Sequence, residues 1–389
     1  MTEKRLKDGY TTGTCAAAAA KAAAAFLLCG KESLEAALTL PGGRFCRIPV
    51  LHCEKEEKRA CFAVQKDSGD DPDVTNGTLV FASVSPIDKD RLEALKQTGT
   101  GYFLEDFPQL YLNGGTGIGR VTKPGLSCPV GHVAINPVPR QMILGAVEEV
   151  VRMAAFDGAL LVEIQIPDGE RLAAQTFNPK LGIQGGISVL GTTGIVKPMS
   201  EEALLETIHL EIHMKAVNGG TVLLMAPGNY GEEFLKKTLG VPVGNAVLCS
   251  NFVKAAVLMA REEGFSELLF VGHIGKLIKV SAGIENTHSK YGDGRMEQMA
   301  VLAGELGYPE LKPQLLSCNT TDDALELLKE YGIAEVILCR TAEHTKQWIE
   351  TWSEGRLTAQ VVTFSTAHQI LGATKTWQDL LIRWKAEQG

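Results

Sequence analysis

Two histidines and four cations crowd one short stretch of an otherwise acidic chain. Gly272-His273-Ile274-Gly275-Lys276-Leu277-Ile278-Lys279 runs on through Asn286-Thr287-His288-Ser289 to Asp293-Gly294-Arg295-Met296-Glu297. His273 and His288 fall within sixteen residues of each other. Lys276, Lys279, Lys290 and Arg295 make the stretch basic, although the formal net charge is -8. An imidazole titrates near neutrality, so either histidine can serve as a base, with Asp293 to orient His288. Asp293 can equally cap the helix that follows. The cations suit carboxylates on a ligand. The whole stretch reads as an active-site loop or as a long solvated connection.

The flanking elements decide where such a stretch lies. Residues 267–271 read as a buried strand, and Met296, Met299, Ala300, Ala303 and Leu306 repeat at helical spacing. From residue 221 onward the pattern alternates. Strands are expected at 221–226, 246–250, 267–271, 315–317, 335–339 and 360–364. Helices are expected at 232–239, 252–263, 296–306, 322–331 and 343–352. Continuous apolar strands between helices indicate a mostly parallel sheet covered on both faces. Polar residues follow several strands: Pro227-Gly228-Asn229, Ser250-Asn251, Gly272-His273 and Ser317-Cys318-Asn319-Thr320. Carboxyl ends of parallel strands share one edge, where ligands sit. Trp377, Leu380, Leu381 and Trp384 form a terminal stripe suited to a core or a subunit contact.

The first half is patterned differently. Gly9-Tyr10-Thr11-Thr12-Gly13-Thr14 precedes nine alanines between Ala16 and Ala25. This is a helix, with Thr12 or Thr14 to cap it and Gly30 to end it. Its N-terminus can take an anion, or the helix can simply be a tightly packed core element. Residues 44–51, 61–66 and 79–84 alternate as antiparallel strands. Gly114-Gly115-Thr116-Gly117-Ile118-Gly119 nearly matches a dinucleotide fingerprint, but Pro124 soon follows and no helix can open there. Asn136-Pro137 begins a helix with Arg140 in its first turn, opposed to the helix dipole, so a ligand or carboxylate partner is expected unless Arg140 is a plain surface residue. Gly191-Thr192-Thr193-Gly194 is a third Thr/Gly loop. His209 and His213 stand at metal-compatible spacing, yet in the row of Glu202 and Glu206, which favours a solvated face.

Composition sets the class. The 389 residues are 45% hydrophobic and 22% charged, with 41 glycines. Mean hydropathy is +0.03 and the pI is about 5.6. This is a globular protein of two or three domains. Its acidity argues against a general nucleic-acid binder. Nine scattered cysteines without CxxC or zinc spacing point to reduced thiols in the cytoplasm and to no protein-bound metal. No stretch is expected to span a membrane. A homo-oligomer stays open.

Six segments in order then resemble the CbiD family of cobalt-precorrin-5B carbon-1 methyltransferases. They are Gly9-Tyr10-Thr11-Thr12-Gly13-Thr14-Cys15, the Gly114 to Gly119 loop, Ala134-Ile135-Asn136-Pro137-Val138-Pro139-Arg140, Gly191-Thr192-Thr193-Gly194-Ile195-Val196, Gly272-His273-Ile274-Gly275-Lys276 and Asn286-Thr287-His288-Ser289. The resemblance implies an α+β N-terminal domain, placed at residues 1–195, and a Rossmann-like α/β C-terminal domain at 196–389. It implies methyl transfer from S-adenosylmethionine to carbon 1 of a cobalt corrinoid in cobalamin biosynthesis, the cobalt belonging to the substrate.

A macrocycle with many carboxylates suits Thr/Gly loops and local cations. Thr12, Thr14, Thr116, Arg140, Thr192, Thr193, Lys276 and Arg295 are therefore the expected substrate contacts. His288, His273 and Asp293 are the expected catalytic groups. By analogy with doubly wound sheets, Gly228, Asn229, Asn251, Gly272 and Asn319 are placed against the methyl donor. Two other classes compete: a carrier that binds the corrinoid without catalysis, and a nucleotide-dependent transferase using the Gly272 to Lys276 loop.

Overall fold

The computed structural model describes residues 6–56, 58–365 and 369–388, without the side chains of residues 52–56 and Asn229. The chain is a mixed α/β protein of two compact units, Met1–Ser200 and Glu201–Gly389, each built on a mixed sheet.

In the first unit, alanine content dictates the core. The helix Thr12–Cys29 begins at a Thr11 cap, not at the expected Thr12 or Thr14, and ends at Gly30 in the left-handed region (φ 62). Its residues Cys15 through Ala20 and Ala22 through Ala24 are buried. Methyl-sized side chains let it lie close against the strands Arg59–Gln65 and Leu79–Ile87 and beside the helix Pro137–Met153. Among the described residues it is long and apolar enough to cross a membrane by length and composition, which corrects the expectation that no stretch is. Its apolar surface is instead spent inside the unit.

The six-stranded sheet runs Leu51–Glu56, Arg59–Gln65, Leu79–Ile87, Ala159–Gln165, Phe107–Gly114 and Tyr102–Leu104. It is antiparallel except where Ala159–Gln165 meets Phe107–Gly114 in parallel. Phe45–Pro49 stands apart, paired with Glu35–Thr39 in a ribbon.

The second unit holds five strands in the order Val247–Leu248, Val222–Ala226, Glu267–His273, Thr358–Phe364 and Ile370–Ala373; only the last is antiparallel. Alternate residues feed two cores. Leu223, Met225, Leu268 and Phe270 pack toward Glu201–Val217, Val253–Glu262 and Ala334–Trp352. Leu224, Leu269, Val271 and Phe364 pack toward Asn229–Leu239 and Trp377–Glu387.

The strands expected at 315–317 and 335–339 are helical. They belong to Lys312–Ser317 and Ala334–Trp352, so Asn319 joins two helices and does not follow a strand. Ile337, Leu338, Thr341, Ala342, Thr345, Ile349 and Trp352 make the buried stripe of the longer helix, and helical spacing outweighs the short β-branched run. His209 and His213 each grip one oxygen of Glu263 at 2.8 Å. Burial alone raises that carboxyl, but the two imidazole hydrogen bonds hold it below its usual range. Among the described residues no group of three or more His, Cys, Asp or Glu side chains is placed to hold a metal.

Candidate active site

The strand Glu267–His273 is central, with parallel neighbours on both sides and Leu268 through Val271 fully enclosed. It stops abruptly. His273 is the last strand residue and also caps the helix Ile274–Ser281, whose Gly275 N–H donates to its Nδ1 at 3.1 Å. The expected long loop is therefore a tight strand-to-helix corner. Gly272 makes the corner possible, because a β-carbon there would lie 1.9 Å from Leu277 Cδ1.

Both histidines are committed through Nδ1. His288 is exposed and caps the short turn Ser289–Tyr291, accepting from Lys290 N–H at 3.1 Å. With Nδ1 accepting, the neutral ring carries its proton on Nε2 and is a donor there. The His273 ring lies edge-on to Phe364 (centroids 5.7 Å apart) and 6.1 Å from the ring of Tyr230, which is 64% exposed. Burial pushes the His273 pKa down and favours the neutral ring; Asp322 opposes this and Lys276 adds to it.

Asp293 neither orients His288 nor caps the next helix. Gly294 occupies the cap position, and the Asp293 carboxylate takes Arg295 Nε at 2.5 Å and an Arg295 terminal nitrogen at 2.7 Å. That bidentate pairing holds its carboxyl below the usual range. Lys279 is 6% exposed and ties the turn down through the carbonyls of Gly292 (3.2 Å) and Thr287 (3.5 Å), with Asp293 at 3.7 Å. Lys290 pairs with Glu201.

Of the four cations, only Lys276 has no carboxylate partner among the described residues. Its Nζ lies 3.4 Å from the Ser250 carbonyl and 3.0 Å from where a β-carbon on Gly228 would stand. Gly228 (φ 89) turns the chain from the strand Val222–Ala226 into the helix Asn229–Leu239, which starts without a side-chain cap. Ser250 follows the neighbouring strand Val247–Leu248 in the left-handed region (φ 53), a conformation that costs a non-glycine residue energy. Asn251 beside it accepts the Thr287 hydroxyl at 3.0 Å, and its carbonyl accepts Thr287 N–H. Gly228, Ser250, Asn251, Gly272 and His273 thus share the carboxyl edge of the sheet. Thr321 brings the helix Thr321–Glu330 to this edge, 3.9 Å from a β-carbon on Gly275. The exposed Asn319 makes no strand-end contribution. The Asn229 side chain lies outside the described residues.

In the first unit the first and third Thr/Gly loops interlock, whereas the second pairs with the short strand Gly186–Ile187. Thr11 N–H and the Thr14 hydroxyl both donate to the Gly194 carbonyl, at 3.2 and 2.8 Å, and Gly13 N–H donates to Leu190. A β-carbon on Gly191 would come within 2.4 Å of Thr11 Oγ1. Gly117–Ile118 pairs with Gly186–Ile187 in the same close manner, where a β-carbon on Gly186 would lie 2.2 Å from the Gly117 carbonyl oxygen.

Thr14 is fully enclosed, so it holds loops together and is not free to meet a ligand. Thr12 is 7% exposed, whereas Thr116, Thr192 and Thr193 face solvent. Arg140 is not waiting for a carboxylate. Its guanidinium stacks 3.6 Å from the Tyr102 ring centroid and donates to the carbonyls of Ile135 (2.5 Å) and Ser127 (3.3 Å). The sequence also hid the pairing of a buried Lys66 with a partly buried Asp73, since nothing in residue spacing marks a lysine for burial.

Comparison with known proteins places the chain. The family model described as CbiD matches residues 1–198, and the one described as CbiD, C-terminal domain, matches 286–375. A cobalt-precorrin-5B C(1)-methyltransferase of Ruminiclostridium cellulolyticum is 40% identical over 370 residues, 95% of this chain and 91% of its own. The Listeria welshimeri protein of that name is 40% identical over 386 residues, 98% of each chain. The Photorhabdus laumondii one is 39% identical over 97% of this chain and 95% of its own. The crystal structure of a cobalamin biosynthesis protein (cbiD) from Archaeoglobus fulgidus is 27% identical and covers 78% of this chain and 85% of that one, with a TM-score of 0.38. With agreement at 40% identity along nearly its whole length, the chain belongs to the CbiD family.

Proposed function

We propose that this chain transfers the methyl group of S-adenosylmethionine to carbon 1 of cobalt-precorrin-5B, giving cobalt-precorrin-6A in anaerobic cobalamin (vitamin B12) biosynthesis in the cytoplasm. One observation carries this: the near full-length match to proteins named for that methyl transfer. Cobalt arrives inside the macrocycle and is part of the substrate.

On this proposal the unit Glu201–Gly389 is a Rossmann-like domain that holds the donor, and the unit Met1–Ser200 is an α+β domain whose loops hold the corrinoid. The strand-end edge fits a sulfonium donor with an adenosyl group and an amino-acid arm. Gly228 and Gly272 bring backbone to the edge without a β-carbon, and Tyr230 presents an exposed ring there. Gly228, the Asn229 backbone, Asn251 and Gly272 are the proposed contacts.

The donor supplies an electrophilic methyl on sulfur, so the chain's task is positioning and charge. In the first unit Thr12, Thr116, Thr192 and Thr193 are proposed for the macrocycle; in the second, Arg295 is proposed to exchange Asp293 for a ligand carboxylate. Methylation of a ring carbon adds positive charge until a proton leaves. His288 is the proposed acceptor; to act, its Nδ1 must release Lys290 N–H or its Nε2 proton must move. His273 is proposed to act as a neutral Nε2–H donor at the edge.

The nucleotide-transferase alternative loses support from the corner at His273, because no loop separates strand from helix to wrap a phosphate. The test is an anaerobic incubation of the corrinoid with methyl-labelled donor. Label at ring carbon 1 is expected. Corrinoid retained without label would leave a carrier, and ATP binding without donor binding would leave the nucleotide-dependent enzyme.

A further inference from the structure

We infer that Lys276 reads the carboxylate at the end of the donor's amino-acid arm and is the residue by which the strand-end edge selects a donor that carries one. This rests on the donor site proposed above.

Lys276 differs from its neighbours in what surrounds it. Lys279, Lys290 and Arg295 each have a carboxylate within 4 Å, whereas Lys276 has none among the described residues. Its ammonium faces a carbonyl, a glycine turn and the Cys249 thiol. That thiol is wholly enclosed, and burial pushes its pKa up to about 12, so it stays neutral and compensates nothing. A partly buried ammonium without a counter-charge is unfavourable, and burial pulls the Lys276 pKa below its ordinary value. An anionic ligand removes that penalty.

The place is shaped as well as charged. Nζ sits over Gly228, where a β-carbon would touch it, so glycine at 228 keeps the ammonium reachable from the edge. Ser250 is held in its unfavourable conformation with its carbonyl turned toward the same Nζ. Tyr230, two residues beyond Gly228, is exposed and its ring lies 6.1 Å from that of His273.

A carboxylate can come from the donor or from the rim of the macrocycle, and two features favour the donor. A single lysine in a narrow turn is a point charge for one carboxylate, whereas a rim of many carboxylates needs cations spread over a surface. The donor also carries a positive sulfonium. An ammonium near that sulfur would repel it, whereas one at the far end of the arm pairs with the carboxylate and leaves the sulfur clear.

The test measures, by calorimetry, binding of S-adenosylmethionine and of its decarboxylated analogue to the wild-type chain, Lys276→Met and Lys276→Arg. Corrinoid binding is measured on the same three proteins. The wild type is expected to prefer the carboxylate-bearing donor by about tenfold or more. Lys276→Met is expected to bind both sulfoniums alike, Lys276→Arg to keep part of the preference, and corrinoid affinity to stay unchanged. Equal binding of the two sulfoniums by the wild type would overturn the assignment without any variant. A preference that survives in Lys276→Met would overturn it too, as would a loss confined to the corrinoid, which would give the ammonium to the macrocycle. A wild type that binds neither sulfonium would remove the donor site itself, a failure distinct from the others.

Discussion

The Thr14 hydroxyl donates to the carbonyl of Gly194, 2.8 Å away and 180 positions along the chain. This bond closes the first Thr/Gly loop onto the third at a fully enclosed point. Thr14→Val keeps the volume and removes the donor. It is expected to cost about 1–2 kcal/mol, read as a lower thermal midpoint, while Thr14→Ser keeps most of the stability. An unchanged midpoint for Thr14→Val would show that Thr11 N–H alone suffices for that carbonyl.

Lys66 and Asp73 give a dependence on pH. Burial raises the Asp73 carboxyl, but the Lys66 charge and the hydrogen bonds from Lys66 and Thr75 outweigh it and hold the pKa below the usual range. A carboxyl depressed in the folded state stabilises above its unfolded pKa, about 4. That contribution is lost as pH falls through the lower folded value. Asp73→Asn leaves a lysine that is 3% exposed without its counter-charge. It is expected to cost about 3 kcal/mol near pH 7, with the gap to wild type closing as pH falls below about 4 and through the lower folded value. Urea midpoints across that range measure it, and a gap constant with pH would refute the ion-pair account.

His288 separates a chemical role from a structural one. Glutamine at 288 can still accept Lys290 N–H but cannot take up a proton. His288→Gln is expected to lower kcat by about 100-fold, with thermal stability little changed. Near-normal turnover with substrate saturating would end the base proposal and leave His288 as a cap.

Gly272 is fixed by Leu277. A β-carbon at 272 would also lie 3.1 Å from Pro227 Cγ, so Gly272→Ala must displace the enclosed Leu277 side chain. A loss of about 2 kcal/mol is expected, much of it recovered in the Gly272→Ala, Leu277→Ala double variant relative to the sum of the single changes. Additive losses would mean that the corner yields elsewhere.

The strands on either side of the edge were readable because enclosed runs such as Leu268 to Val271 have no other use. The corner was not. Gly275, Lys276 and Lys279 mask a helix whose inward residues Ile274, Leu277, Ile278 and Ser281 keep helical spacing, and histidine is an uncommon cap. Residues 335–339 failed for the opposite reason, since a five-residue apolar window does not contain the stripe that runs on to Trp352. At the candidate site, residue type marked the cations but not their partners. Arg140 on Tyr102, Arg295 on Asp293 and Lys279 on two carbonyls depend on chain folding that no spacing encodes.

The alanine helix Thr12–Cys29 has a further consequence, in entropy. A buried alanine has no rotamers to lose, so its buried alanines order this helix at the cost of the backbone alone. Nor has such a surface alternative side-chain packings to hop between once formed. The loop at its N-terminus is therefore mounted on a support that does not repack, and motion at that end must come from the loops that dock on it.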